Sequence, residues 1–382
     1  MAGLFRFLPV PAPRRGTGND PATNYRAAAM TPTGITSSLT PTPVCDRDLR
    51  ECVSLFQTPN LRSSLWQTAT TIGGFLAVCA AMYILADYSY WAVFALAPLA
   101  AGLLVRTFII QHDCGHGAFF RSRRSNLVLG SLCSLLTLAP YPSWRRQHAG
   151  HHGVWNNLDR RNTGVDIYST CLTVEEYRSL SPWRRRWYRF SRNPVIANII
   201  LPPFVFLLLF RFPYDMPAGW RRERLAVYLT NIALIGLLGG VGLALGFDRV
   251  LAIQLPVVVM ASTIGVWLFT IQHRSDHTVW ARQKDWNAVT ASLMGSSHLR
   301  LPRILQWFTG NIGLHHIHHL NPKIPNYRLQ KCHDAVSELR EIPVMTLRSA
   351  FRAMFYTLWD EPRRQMVTFR GAGIEKTNGD RA

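Results

Sequence analysis

The run from Leu225 to Gln272, LAVYLTNIALIGLLGGVGLALGFDRVLAIQLPVVVMASTIGVWLFTIQ, carries a single pair of charged residues, Asp248 and Arg249, side by side near its centre. A helix needs about 20 apolar residues to cross a bilayer. The run therefore divides into two spans, Leu225 to Phe247 and Val250 to Gln272, joined by a turn too short to hold anything else. Working outward, two more stretches share this character. Ser63 to Ala86 is uncharged, and after Asp87 the chain continues through Trp91 to Val105, with Arg106 near the end of the stretch. Tyr88, Tyr90 and Trp91 fall where an aromatic belt is expected. Two other apolar pieces do not qualify as spans. Asn126 to Ala139 is short and is stopped by Pro140 and Pro142, while Pro194 to Phe210 is broken by Pro202 and Pro203. Both are expected to be interfacial or re-entrant. The fold class that follows is an all-α integral membrane protein with four transmembrane helices, interfacial or re-entrant helices and a cytoplasmic helical cap.

Composition agrees with this reading. Hydrophobic residues make up 48% of the chain and charged residues 17%, with the charges gathered between long uncharged runs. The formal net charge of +20 comes almost wholly from arginine. Such a balance also suits a nucleic-acid binder, but the arginines flank apolar spans and form no stripe with interleaved aromatics. They read as cytoplasmic anchors, and nucleic acid is not the expected partner. Arg184, Arg185, Arg186, Arg189 and Arg192 precede the Pro194 piece, and Arg211, Arg221, Arg222 and Arg224 follow it, so both its flanks are expected in the cytoplasm. The turns at Asp87 and Asp248 then lie outside, and both termini inside. The 7 cysteines are scattered, with no C-x-x-C pair, which indicates a reducing setting rather than a disulfide framework. Residues 1–45 read as a polar, proline-rich leader without a clear secretory signal, and a start at Met30 would lose nothing identifiable. Residues 46–350 form the main domain, and 351–382 a cytoplasmic tail.

Histidine carries the chemistry. Nine of the 13 histidines fall into three boxes: His112-Asp-Cys-Gly-His116, His148-Ala-Gly-His151-His152 and His315-His-Ile-His318-His319. On a helix, residues three and four apart share a face. His112 therefore converges with His116, His148 with His151 and His152, and His315 with His318 and His319. His316 is turned by about 100° from His315 and points elsewhere. Even numbers of crossings separate the boxes, so all three emerge on the same cytoplasmic side. A six-span, transporter-like arrangement breaks that parity, and a transporter would hold its ligands near the bilayer midplane on broken helices. Imidazole binds late first-row metals without thiolates that oxygen would attack. Eight ligands exceed the needs of one ion, so two are implied, and iron rather than redox-inert zinc is the expected metal. His273 follows the fourth span directly and is expected as a ninth ligand. His277, one turn on, lies farther out. His298 and His333 have no partner at helical spacing and are expected at the surface. Asp113, Asn156, Asn157, Asp159, Asp166 and Asn311 are candidates to fix the outer ring nitrogens. Arg145 and Arg146 are candidates to pair with such acids or with lipid phosphates.

These boxes, with WRRQHAGHH from Trp144, NLDRRNTGVDIYS from Asn157, LTVEEY from Leu172 and GNIGLHHIHHLNPKIPNYRL from Gly310, resemble the membrane fatty acid desaturase family over Leu61 to Ala350. They are most similar to its bacterial omega-6 (delta-12) acyl desaturases. Members often carry Gly-Asp where this chain has Thr163-Gly164-Val165-Asp166, and usually an acid near the place of His277. The resemblance implies an enzyme that uses O₂ and two external electrons to remove two hydrogens from adjacent methylenes. The acyl chain would be carried on a glycerolipid, CoA or acyl carrier protein. No heme motif or cysteine cluster is fused to the chain, so electrons are expected from a separate ferredoxin or cytochrome b5. Related di-iron hydroxylases, acetylenases, and alkane or carotenoid oxygenases are the alternatives, with a membrane metal transporter or sensor more distant.

Overall fold

The structure, a computed structural model, describes residues 46–161 and 170–374. The leader 1–45, Asp166 and residues 375–382 lie outside the described residues. We number the principal helices α1 Asp46–Ser54, α2 Leu61–Leu85, α3 Tyr90–His116, α4 Arg123–Thr137, α5 Tyr141–Val154, α6 Pro182–Ser191 and α7 Ile196–Arg211. They continue as α8 Arg221–Leu245, α9 Phe247–Ile271, α10 Ala288–Met294, α11 His315–Leu320, α12 Asn326–Ala335 and α13 Leu347–Ala353. Four of them, α2, α3, α8 and α9, are long and apolar enough to span a bilayer.

Helix α3 is the axis of the molecule. Of its most apolar window 61% is buried, against 22% for α2 and for α8, whose outward residues such as Leu76, Ile84, Ile232 and Leu243 face where lipid would be. Its inner residues, Ala97, Ala100, Ala101 and Leu104, pack with Phe75, Cys79 and Met82 of α2 and with Ile253, Val257 and Ala261 of α9. The second span runs on past Val105 and carries the first histidine box on its last turns. The buried Arg106 is tolerated there because its guanidinium lies 4.1 Å from the Trp307 ring centroid and its Nε donates to Thr71 Oγ1 at 3.1 Å. Gly117, with φ of 68°, ends the helix immediately after His116 in the left-handed conformation that glycine adopts freely. At the opposite end, Arg249 in the first turn of α9 bridges to Asp87 at 2.6 Å, which ties the start of α9 to the turn between α2 and α3.

The two shorter apolar pieces form bent pairs, α4 with α5 at 102° and α6 with α7 at 56°. Their path is fixed by the histidines. The His116 and His148 rings are 4.9 Å apart, and His151 and His273 also 4.9 Å. Chain segments that start and end at one membrane face cross it an even number of times. Helices α8 and α9 supply that number between the second box and His273, so neither bent pair adds a net crossing between the histidine boxes. Beyond the spans lies a cap of short helices and two small sheets. In one, β1 Leu172–Thr173 runs parallel to β4 Leu358–Asp360, and β4 runs antiparallel to β5 Gln365–Val367. In the other, β2 His298–Leu299 runs parallel to β3 Val344–Met345. The segment 351–374, expected as a tail, is thus packed into the cap, with Leu358 and Trp359 fully buried. Strands of three residues, here buried along nearly their whole length, are too short a signal to read from sequence.

Candidate metal centre

Four segments deliver imidazoles to the end of the helical bundle. The first box ends α3, the second lies on α5, and the third forms α11. Gln272, which caps α9, fixes the remaining approach by donating from Nε2 to the Ile312 carbonyl at 3.0 Å. His273 follows it. Before α11 the chain passes through Gly310 and Asn311 at φ of 54° and 58°. Asn311 Nδ2 donates to the Asn326 carbonyl at 3.0 Å, and this tight turn aims the third box inward.

Nine histidines meet there: His112, His116, His148, His151, His152, His273, His315, His318 and His319. They form two groups in which ligand-capable nitrogens lie within 4.8 Å of one another: His112, His116, His148, His152 and His318 in one, His151, His273 and His319 in the other. His315 sits beside the second group, its Nε2 at 3.0 Å from Nε2 of His273. Burial, and after it the neighbouring imidazoles, holds His148, His152, His273, His315, His318 and His319 well below the ordinary histidine pKa. The rings are therefore neutral and keep a lone pair.

This donor set fits cations. Nε2 of His318 is 3.1 Å from Nε2 of His152, which is 3.2 Å from Nε2 of His148. A neutral imidazole offers one N–H, so three nitrogens converging in this way cannot all satisfy one another. A cation at their focus takes a lone pair from each. His116 Nε2 is buried without any hydrogen-bond partner, as the same arrangement requires.

The surroundings divide differently from expectation. Asp113 does support the centre, with Oδ1 3.2 Å from His112 Nδ1, while its Oδ2 accepts from the Asn326 backbone N–H at 2.7 Å and from Asn326 Nδ2 at 2.8 Å. Asn156, Asn157 and Asp159 do not: Asn156 donates to the Val279 carbonyl, Asn157 to Gln283, and Asp159 accepts from Arg282 and the Gln283 N–H. They fasten the loop after α5 to residues 279–283. Arg146 pairs with Glu223 at 2.9 Å, at the start of α8. His277 is exposed and paired with its neighbour Asp276. His298 and His333 are not surface residues. They enclose the fully buried His316, with ring centroids 5.6 Å (His298) and 6.0 Å (His333) from it and 4.7 Å from each other. Strand β2 and α12 bring them from distant parts of the chain, so helical spacing carries no trace of them. Two tryptophans complete the walls: Trp144 stacks on His148 at 4.7 Å, and the Trp155 ring lies 3.7 Å from that of His273. The i, i+4 spacing of Trp144 and His148 is a signal that sequence reading could have used.

A cavity of about 160 Å³ opens from the histidines into the span region. His112, His148, His151 and His315 stand at one end of it. Leu104, Phe108, Phe206, Phe210 and Phe269 line its length.

A four-span helical protein with a histidine centre at one membrane end, facing an apolar cavity, has the architecture of a membrane enzyme that acts on lipid chains. The comparison with known families makes this particular: residues 89–349 match the fatty acid desaturase family, and the chain belongs to it. It is 41% identical to a fatty acid desaturase of Bacillus subtilis over 324 residues, which is 85% of this chain and 91% of the relative. An sn-1 oleoyl-lipid 12-desaturase of Picosynechococcus is 27% identical over 281 residues, covering 65% of this chain and 72% of the relative. A ferredoxin-dependent sn-1 acyl-lipid omega-3 desaturase of Synechocystis is 27% identical over 315 residues, covering 78% and 82%. The protein is a membrane-bound oxidoreductase of the desaturase type.

Proposed function

We propose that the chain binds two iron ions and uses O₂ to introduce a cis double bond into a membrane acyl chain, converting oleoyl to linoleoyl. The proposed ligands are His112, His116, His148, His152 and His318 for one ion, and His151, His273, His319 and the adjacent His315 for the other. Bound iron supplies the redox chemistry of O₂ activation. The observation that carries the reading is the opening of the apolar cavity onto four of these histidines.

The chain's own residues do the rest. Phe108 meets Phe206 edge-on at 6.1 Å, and Phe206 meets Phe210 at 5.0 Å, so this side of the cavity is a wall of rings that contacts an acyl tail along its length and orients it toward the centre. Trp144, between Phe108 at 5.2 Å and His148, holds a methylene against the centre. Gln272 and Asp113 keep ligand segments in place through the bonds already described, and the buried rings exclude bulk water. The name of the Picosynechococcus 12-desaturase supports the oleoyl substrate and a glycerolipid head group. That of the ferredoxin-dependent relative supports a separate ferredoxin-like or cytochrome b5-like donor. The arginines at the site end support a cytoplasmic active site in a bacterial inner membrane, with both termini on the same side.

Gas chromatography of lipids from a host that makes oleoyl but no dienoic chains tests this. A new linoleoyl chain is the expected outcome. A bond elsewhere overturns the regiochemistry, and a hydroxylated or acetylenic product overturns the desaturase outcome. Metal analysis of the purified protein should return near two irons per chain, and reversible zinc in their place would favour a transporter or sensor.

A further inference from the structure

Resting on the acyl-desaturase reading, we propose that Gly265 is a specificity-determining residue. Its missing side chain lets the methyl end of the substrate pass deep between the spans, so that the enzyme counts the new bond's position from the methyl end. Three observations meet here. The α9 side of the cavity is one helical stripe whose middle members, Ala261, Ser262 and Gly265, are small. A Cβ built on Gly265 would meet nothing within 4 Å, although Val266 and Leu268 beside it are only 7% and 4% exposed. The empty space at this position is therefore the cavity itself. Finally, the deep end is bounded by Leu104 and Val258, which belong to the packed core with Ala100, Ile253 and Val257.

Direction follows from polarity. Among the described residues, no Asp, Glu, Lys or Arg lines this cavity, so the ester or thioester end of a substrate has no partner inside it and stays at the face beyond the histidines. The methyl end must occupy the lane. At 1.5 Å per residue, Gly265 lies about 10 Å along α9 from Gln272, and Val258 about 21 Å. A tail that passes Gly265 places one pair of methylenes at the centre. A tail stopped at Gly265 places a pair nearer its methyl end.

The test compares wild type with Gly265→Leu and Gly265→Ala. Both replacements favour helix over glycine, and the Cβ they share meets nothing within 4 Å, so the backbone of α9 is retained. In cells fed C16 and C18 monoenes, wild type should place the new bond at one fixed distance from the methyl end of both. Gly265→Leu should move the bond toward the methyl end, with Gly265→Ala between. On metal-free protein, displacement of a fluorescent fatty acid should show Gly265→Leu losing at least tenfold in affinity for a C18 chain and much less for C14, and metal content after loading should match wild type. Bond positions in wild type fixed from the carboxyl end, or a Gly265→Leu protein unchanged in both product and C18 binding, overturn the proposal. If wild type makes no double bond while the leucine variant still loses C18 binding selectively, the desaturase reading fails and the lane stands.

Discussion

Helix α11 presents histidines on two faces, alike in composition and different in kind. His315, His318 and His319 join six other rings from three segments, with Nε2 atoms meeting at 3.0–3.4 Å beside an apolar cavity. His316, on the other face, is fully buried against His298 and His333. Yet the nitrogens that gather within 4.8 Å of one another among the described residues are those of the first assembly, and none from His316, His298 or His333 is among them. Burial of an imidazole is thus no sign of a ligand. Convergence of several lone pairs on one point is, and the boxes encode it by spacing.

The largest effects should come from the convergent face. Replacing His318 or His151 by alanine removes a donor from one group, and product should fall by at least 100-fold while the protein remains in the membrane. Metal analysis should show occupancy dropping toward one ion per chain. Full occupancy in His151→Ala would remove that ring from the proposed set. Next in size is Asp113→Asn. It weakens the carboxylate contact that fixes the His112 ring, and metal affinity should fall by about 10–100-fold in a titration of the metal-free protein, with unaltered insertion.

What the sequence made legible follows the same physics. A helix facing lipid must be apolar nearly all round, so α2, α8 and α9 announce themselves, and ligands on one helix must recur at three and four residues. Arg106 obscured the length of α3, because its compensation by Trp307 comes from a segment about 200 residues away. Tertiary placement hid His298 and His333, and the true partners of Asn156, Asn157 and Asp159, for the same reason. Residues 351–374 read as a tail in the sequence because their strands are three residues long and pack against distant residues, Leu172, Tyr177 and Tyr188 on one side and Trp155, Leu158 and Trp280 on the other.

The non-convergent face gives smaller effects of another kind. His316→Ala leaves a cavity in a packed region and should cost about 1–3 kcal/mol of stability, read as a lower thermal midpoint in detergent. Metal content and product should remain. A metal loss equal to that of His318→Ala would erase the distinction between the two faces.

The smallest effect concerns His298, whose pKa is pushed down to about 4, first by desolvation and then by His333 and Arg300. In the unfolded chain the ring titrates near the ordinary value of about 6.5. Between these two values the unfolded state binds more protons than the folded one, so stability rises with pH across the window and is lost as pH falls from about 6.5 toward 4. Above the window both states are neutral, and below it both are protonated, so the change levels off at either side. His298→Gln removes this titration while keeping a polar side chain of similar reach. Comparing midpoints of metal-free wild type and variant, the advantage of wild type should shrink steadily from pH 7 to pH 4 and then stay constant. Parallel curves across that range would mean that His298 meets water freely, and that the second assembly is looser than its packing around His316 implies.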